Sequence, residues 1–361
     1  MKVSEICKYA PKSNIKARDA CDGGKYVFFT SSADESKRYN AYQHEGEGII
    51  MGTGGNATLH YYDGKYAVST DCIVLLPNEQ IRCKYLYYFF LGNMRVLERG
   101  FKGAGLKHTN KGYIGDIDIG DIPSFERQEK IIGIFDTLQS IIDLRKSEIE
   151  RLDNLIKARF VEMFGSPVSN PMSWEKRTLK EVCIKLNDGS HFSPESFETG
   201  DYKYVTAKNI KFSGFDFSNI TYVPEAVHRP IFDRCNPEFE DVLYIKDGAT
   251  TGVAIVNTLD EEFTLLSSVA LLKQDRSIMN GYFLATLLNN KDMYLNIRNN
   301  MGGAAITRLT IAKLNAIEII VPPIELQNQF AAFVAEVDKS KLMFQKLHQQ
   351  LNILQQKAGD I

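Results

Sequence analysis

The stretch "IPSFERQEKIIGIFD" (residues 122–136) has a counterpart in "VPPIELQNQFAAFV" (residues 321–334). Pro123 answers Pro322, Glu126 answers Glu325 and Gln128 answers Gln327, each at a spacing of 199 residues. A proline-free run follows both, over residues 124–166 and from residue 324 to residue 361. A phrase that recurs at fixed spacing, each time ahead of a helix-compatible run, points to a duplicated structural unit.

Working outward, further pairs keep the same order. "VSEIC" (3–7) matches "LKEVC" (179–183), offset 176; "GIIMGTGG" (48–55) matches "DVLYIKDG" (241–248), offset 193. "STDCIVLL" (69–76) matches "LLSSVALL" (265–272), offset 196, "YLYYFFLGN" (85–93) matches "YFLATLLNN" (282–290), offset 197, and Gly103 matches Gly302. Chance does not keep six such pairs colinear. "KYVFFTSS", "GKYAVST", "CIVLLP", "DVLYIKDG", "TGVAIVN" and "SVALLKQ" read as short strands between Gly, Asn and Asp turns, and 84–100 and 279–300 read as helical. The expected fold is α+β: two repeated mixed, β-rich parts, each with a curved, partly antiparallel sheet and each closed by a long helix. The boundaries expected from this pattern are 1–122, 123–165, 166–321 and 322–361.

The helical runs carry apolar seams. The first passes through Ile131, Phe135, Leu138, Ile142, Arg145, Ile149, Leu152, Ile156, Arg159 and Met163. The second passes through Phe330, Phe333, Val337, Ser340, Phe344, Leu347, Leu351, Leu354 and Ala358. Steps alternating between four and three residues are coiled-coil spacing. A helix of roughly 38 residues would be about 57 Å long, past any domain edge. The expectation is that the helices pack on each other through Phe135, Leu138, Ile142, Ile149, Leu152 and Ile156 of the first and Val337, Phe344, Leu347, Leu351 and Leu354 of the second. The plainer alternative is that each stripe lies on its own globular part.

Composition narrows the function classes. The 361 residues are 44% hydrophobic and 24% charged, an ordinary balance for a soluble globular protein. No apolar run approaches the length of a membrane span, and "MKVSEICKYAPKSN" lacks the apolar core of a secretory leader. Six scattered cysteines without a C-x-x-C pair fit reduced thiols in a cytoplasm. The six histidines have no metal-ligand spacing, and G-x-S-x-G, H-E-x-x-H and P-loop patterns do not occur. "FKGAG" (101–105) fits the F-x-G-x-G loop of methyl-donor sites, but a helix end precedes it and a polar loop follows, so it reads as a glycine turn. "NPEF" (236–239) departs from the adenine-holding N-P-P-F at Glu238 and reads as a turn into a strand. The residues describe a chain that binds rather than transforms: no catalytic and no metal-ligating residues are assigned.

Two globular parts, each closed by P-x-x-E-x-Q and a long helix, resemble the DNA specificity subunits of type I restriction–modification systems. The passage "EIERLDNLIKARFVEMFGSPVSNPMSWEKRTLKEVC" (148–183) is similar to that family's path from central helix to second target-recognition domain, and "GAG" and "GGA" stand at its turns before each domain's last strand. The resemblance spans essentially the whole chain; the first part is shorter than the second, and its phrase has one proline where the second has two. It implies target-recognition domains at 1–122 and 166–321 and family helices at 123–165 and 322–361, running antiparallel about a pseudo-twofold axis. Each domain would read one half of a bipartite duplex target, while the helices set the spacer and dock methyltransferase subunits. It further implies two methyltransferase subunits that carry S-adenosylmethionine and methylate adenine, restriction subunits as optional partners, and no cofactor on this chain. A self-contained methyltransferase and a coiled-coil adaptor for proteins alone are the alternatives; methyl-donor binding by the isolated chain, and the absence of any protected duplex, respectively, would favour them.

Bulk charge does not supply DNA affinity: Lys and Arg number 16 against 14 acidic residues over 1–122, and 16 against 19 over 166–321. Phosphate contacts are therefore expected to be few and local. Polar loops offer Lys37, Arg38 and Tyr39; Lys102, Lys107, Asn110 and Lys111; His191; Lys203 and Lys208; Lys246, Thr250 and Thr251; and Arg308. The plain alternative for each is a solvated loop residue.

Overall fold

The computed structural model describes residues 1–103, 105–299 and 308–358, with side chains described through Lys341. Two compact units are formed, one by Met1–Ser147 together with the chain from Phe344 onward, the other by Glu148–Met343; α11 is described below with the second unit, where it begins.

The first unit runs α1 (Val3–Ile6), β1 (Cys7–Tyr9), β2 (Tyr26–Phe29), β3 (Arg38–Tyr39), β4 (His44–Gly52), β5 (Leu59–Val68), β6 (Cys72–Pro77), α2 (Cys83–Gly92), α3 (Met94–Glu98), α4 (Lys111–Gly115) and the start of α5 (Phe125–Phe164). Its six-stranded sheet has the order β1-β6-β4-β5-β2-β3. Pairing is antiparallel except between β2 and β5. The central strands are covered on both faces, which is why "GIIMG" and "CIVLL" are continuous apolar runs instead of alternating ones. Ile49, Met51, Ile73 and Leu75 pack with Val3, Ile6, Leu86, Phe90 and Ile114 of the helices. Ile50 and Val74 face Phe29, Tyr66 and Val68.

The second unit continues with β7 (Lys176–Thr178), α6 (Leu179–Val182), β8 (Cys183–Asp188), β9 (Tyr202–Val205), β10 (Ile210–Lys211), β11 (Gly214–Phe215), β12 (Thr221–Val223) and α7 (Glu225–Arg234). Then come β13 (Val242–Ile245), β14 (Ala254–Val256), β15 (Thr264–Leu265), β16 (Val269–Gln274), α8 (Gly281–Asn289), α9 (Lys291–Asn299), α10 (Ile311–Asn315), β17 (Glu318–Ile320) and α11 (Ile324–Ala358). An antiparallel sheet β14-β13-β16-β8 is accompanied by β12-β9-β15 and by two-stranded pairs β10-β11 and β17-β7. The central strands are again buried on both faces: Val242, Tyr244, Ala270 and Leu272 meet the helices, and Leu243, Ile245, Val269 and Leu271 meet Val205, Phe263 and Leu265.

The repeated phrase has a concrete job in both units. The buried Gln128 accepts a hydrogen bond from Arg82 N, the N-cap of α2, at 2.8 Å, and donates to the Pro123 carbonyl at 2.9 Å. The buried Gln327 accepts from Asn280 N, the N-cap of α8, at 3.0 Å, and donates to the carbonyls of Pro322 at 2.7 Å and Ile278 at 3.0 Å. A helix N-terminus leaves its first N–H groups unpaired. The glutamine amide takes up the N-cap donor and ties the start of the long helix to the globular part.

Within the second unit, the end of α5 packs against the start of α11. Ile156, Phe160 and Phe164 share a core with Phe330, Val334 and Val337, and Leu152 and Phe333 border it. Phe330 meets the rings of Phe160 and Phe164 edge-on at 5.6 and 5.7 Å. Lys341 pairs with Asp153 at 2.7 Å. Rising numbers on α5 meet falling numbers on α11, so these segments run antiparallel.

The seam differs from expectation at both ends. Phe160 and Phe164 fill the core of the last two turns, with Met163 packed at its border, because there the helix faces Phe283 of α8 as well as α11. Phe135 stacks on Tyr88 of α2 at 4.7 Å, the plainer alternative for that residue. Ile142 is buried, and Leu138 and Ile149 are half-buried. The side chains of Phe344, Leu347, Leu351 and Leu354 lie outside the described residues.

Candidate nucleic-acid interface

Each unit brings two separate loops to one crossing, and the same backbone bonds make it. In the first unit the loop after β4 meets the loop before α4: Thr109 N donates to Thr53 O at 3.0 Å, and Gly54 bridges His108. In the second the loop after β13 meets the segment before α10: Leu309 N donates to Lys246 O at 2.8 Å, and Asp247 bridges Arg308. A further pair matches: Thr53 N donates to Asp71 O, and Lys246 N to Ser268 O. The offsets, 193 to 200, agree with those of the sequence repeat in this part of the chain, 193 to 199, to within one residue.

In the first unit a third loop joins. Ser31 Oγ donates to Asp71 O at 2.5 Å and accepts from Thr53 N at 3.2 Å. The buried His60 fixes the same loop, with its ring nitrogens 2.7 Å from Glu35 Oε1 and 3.1 Å from Ser32 O. The "FKGAG" turn is the tip of a hairpin closed by Lys102 N to His108 O (2.9 Å) and His108 N to Lys102 O (3.0 Å). Gly103 has φ +147° and an added Cβ would lie 2.9 Å from Leu106 O, whereas Gly105 has open space. A left-handed, crowded position favours glycine. Gly103→Ala is therefore expected to destabilise by about 1 kcal/mol or more, with Gly105→Ala close to neutral, as read by thermal melting of the two variants; equal melting points would show that the turn does not need that backbone.

The expected DNA-contacting residues fall into distinct settings. Lys102, Lys107, Asn110 and Lys111 are exposed on the crossing loop, with the Asn110 side chain also capping α4 through Tyr113 N. Lys37, Arg38 and Tyr39 are half-buried. Arg38 is turned inward onto the carbonyls of Glu35 and Lys37, and Tyr39 lies against Phe28. His191, Lys208, Thr250 and Arg308 are exposed. Lys203 is paired with Glu261.

Two expectations are corrected. Lys246 is only 2% exposed and sits between Asp188 Oδ2 (3.3 Å) and Asp247 Oδ2 (3.1 Å). Thr251 is buried, its hydroxyl donating to Gly248 O at 2.7 Å. Both read as polar loop residues in the sequence because "IKDGATTG" gives no hint that the strand's burial runs past Ile245. Neither is placed to touch a ligand directly.

Sequence reasoning passed over Asp188 and Arg234. Asp188, itself buried, receives Lys246, Arg234 (3.5 Å) and His191 (3.0 Å). Next to it, a Cβ on Gly189 would lie 1.9 Å from Leu265 O, so only glycine fits. Arg234 stands two residues before "NPEF", within a segment whose interest seemed confined to that motif. Asn236 of the motif accepts from Lys185 Nζ at 2.6 Å and donates to Glu238 at 3.3 Å. It lies in an open groove with Phe232, Pro237, Phe239 and Arg276. Burial pushes the thiols of Cys7, Cys183 and Cys235 up to about 12, which keeps them protonated and poorly nucleophilic at neutral pH. Among the described residues, no cluster of three or more His, Cys, Asp or Glu side chains forms a metal site.

The family model of the type I restriction modification DNA specificity domain matches residues 1–154 and again 171–353. The chain belongs to that family. The Escherichia coli type I restriction enzyme EcoDI specificity subunit is 24% identical over 157 residues, a match that spans 44% of this chain and 34% of that relative. The type I restriction–modification S subunit of M. genitalium is similar in structure across 99% of this chain and 94% of its own, with a TM-score of 0.59 and 15% identity. A chain from work on complex assembly and conformational transition of the type I restriction–modification system is similar over 100% and 96%, with a TM-score of 0.51 and 17% identity. At such identities the likeness is one of fold. The family's two-part match coincides with the duplicated loop crossing. No helix among the described residues is long and apolar enough to cross a membrane.

Proposed function

We propose that this chain is the noncatalytic, sequence-reading subunit of a type I restriction–modification complex in the cytoplasm. Each unit reads one half of a bipartite duplex target. Two methyltransferase subunits dock on α5 and α11 and bring S-adenosylmethionine and adenine methylation, and restriction subunits join when the complex cuts. The observation that carries the reading is the duplicated crossing: one backbone scaffold, written twice, presents different side chains. Of the corresponding residues, the exposed pair is His108 in the first unit and Arg308 in the second, while Lys246, where the first unit has Thr53, is interior. A shared scaffold with unshared chemistry suits a protein whose halves read different base pairs. Base identity is read by side chains at groove edges, whereas phosphate contacts position the protein.

The self-contained methyltransferase reading finds less support. "FKGAG" is a hairpin tip, not a strand-to-helix turn at a donor site, and Asn236 is hydrogen-bonded to Lys185 and Glu238.

In this reading the helices fix the distance between half-sites. Inserting four residues near Lys146, roughly 5.4 Å of helix, is expected to lengthen the recognised spacer and leave both half-sites as they were. Adenine methylation mapped in cells expressing the assembled complex reads the outcome. An altered half-site with the original spacer would contradict the ruler.

A further inference from the structure

In the second unit a chain of alternating charges crosses the candidate interface. Arg308 Nε lies 3.2 Å from Asp247 Oδ1, and Asp247 Oδ2 lies 3.1 Å from Lys246 Nζ. Lys246 Nζ lies 3.3 Å from Asp188 Oδ2. Asp188 Oδ1 then faces Arg234 Nη1 at 3.5 Å and His191 Nε2 at 3.0 Å. The two inner members, Asp188 and Lys246, are both 2% exposed. The three outer members are not: the side chains of His191 and Arg308 are 60% exposed and that of Arg234 42%.

Burying an ion pair costs several kcal/mol of desolvation per ion, and such pairs can often be replaced by apolar residues without loss of stability. Nor does the crossing itself need charge. The first unit makes the same crossing with Thr53, Gly54 and His108, through backbone bonds and the neutral hydroxyls of Ser31 and Thr53, where the second adds the ion chain. The charges in the second unit therefore do something beyond holding two loops together. Their geometric effect is plain: Asp188 and Asp247, braced by Lys246, tether the exposed nitrogen-bearing side chains of His191, Arg234 and Arg308, and Arg234 is held by the Gly189 carbonyl as well.

We propose that Asp188 and Lys246 are positioning residues that fix His191, Arg234 and Arg308 for contact with the DNA backbone of one half-site, with Arg234 a phosphate-contacting residue. This rests on the specificity-subunit reading above. It explains how a unit with more acidic than basic residues grips a polyanion: fixed local donors act where bulk charge does not. It also turns Lys246 from a ligand contact into part of the support.

The test uses the chain assembled with its methyltransferase subunits and a pool of random duplexes, sequenced after retention. The paired replacement Asp188→Leu with Lys246→Met removes the buried charges together. It is expected to melt within a few degrees of the parent, yet to weaken binding at least tenfold across all sequences and to lower the salt slope of log K. A general folding defect would lower the melting temperature as well. Arg234→Gln, a partly exposed change, is expected to weaken binding about tenfold across all sequences and to lower the salt slope of log K by about one. A paired variant that folds and keeps the parent's affinity and salt slope would overturn the proposal. So would Arg234→Gln with unchanged affinity and salt slope, which decides the matter if the paired variant does not fold. A parent complex that enriches no bipartite sequence would overturn the underlying function and this inference with it.

Discussion

Replacing Gln327 by alanine is expected to lower the melting temperature of the chain by about 6–12 °C. The side chain is buried and makes three hydrogen bonds, to Asn280 N, Pro322 O and Ile278 O. Truncation leaves a helix N-cap donor and two carbonyls without their partner. Each unmet buried group costs about 1–3 kcal/mol; partial relaxation brings the sum to about 3 kcal/mol. For a unit of this size each kcal/mol shifts melting by about 2–4 °C. Gln128→Ala should act in the same direction but less, since that amide makes two such bonds. Gln327→Glu keeps the shape and would place a carboxylate oxygen against the Pro322 and Ile278 carbonyls, so it too should destabilise. Loss of less than about 2 °C in Gln327→Ala would mean that the corner is held by something other than this amide.

That corner also shows how far the sequence could be read. The pairing of Gln128 with Gln327 is visible as spacing, and the duplication, the α+β class and the long helices follow from it. What the amide bonds to is not visible, because Arg82 and Asn280 lie 46 and 47 residues upstream. The helical seam is legible where two helices alone determine it, as at Leu152, Ile156 and Val337. It fails at Phe160 and Phe164, where a third helix enters the packing. The candidate interface is legible as loops but not as roles. Lys246 and Thr251 carry polar side chains in a glycine-bearing segment, and only the tertiary fold shows that both are interior. Asp188 closes a strand and carries no motif. Its importance comes from a histidine, an arginine and a lysine arriving from 3, 46 and 58 residues away in sequence.

The largest functional effect is expected from exchanging residues 166–321 for the matching part of a relative that recognises a different target. If each unit reads its own half-site, one half of the methylated sequence should be replaced completely while the other half and the spacer stay. Each mismatched base pair costs about 1–3 kcal/mol, so several altered positions together leave almost no methylation at the old half-site. The exchange keeps α5 and α11, and with them the surfaces proposed to carry the methyltransferase subunits, so overall methylation should remain near the parent level. Adenine methylation mapped at single-base resolution, in cells expressing the exchanged chain with its methyltransferase subunits, is the direct measurement. The account predicts one new half-site beside one old half-site at the old spacing; both half-sites changed together, or neither, would contradict it.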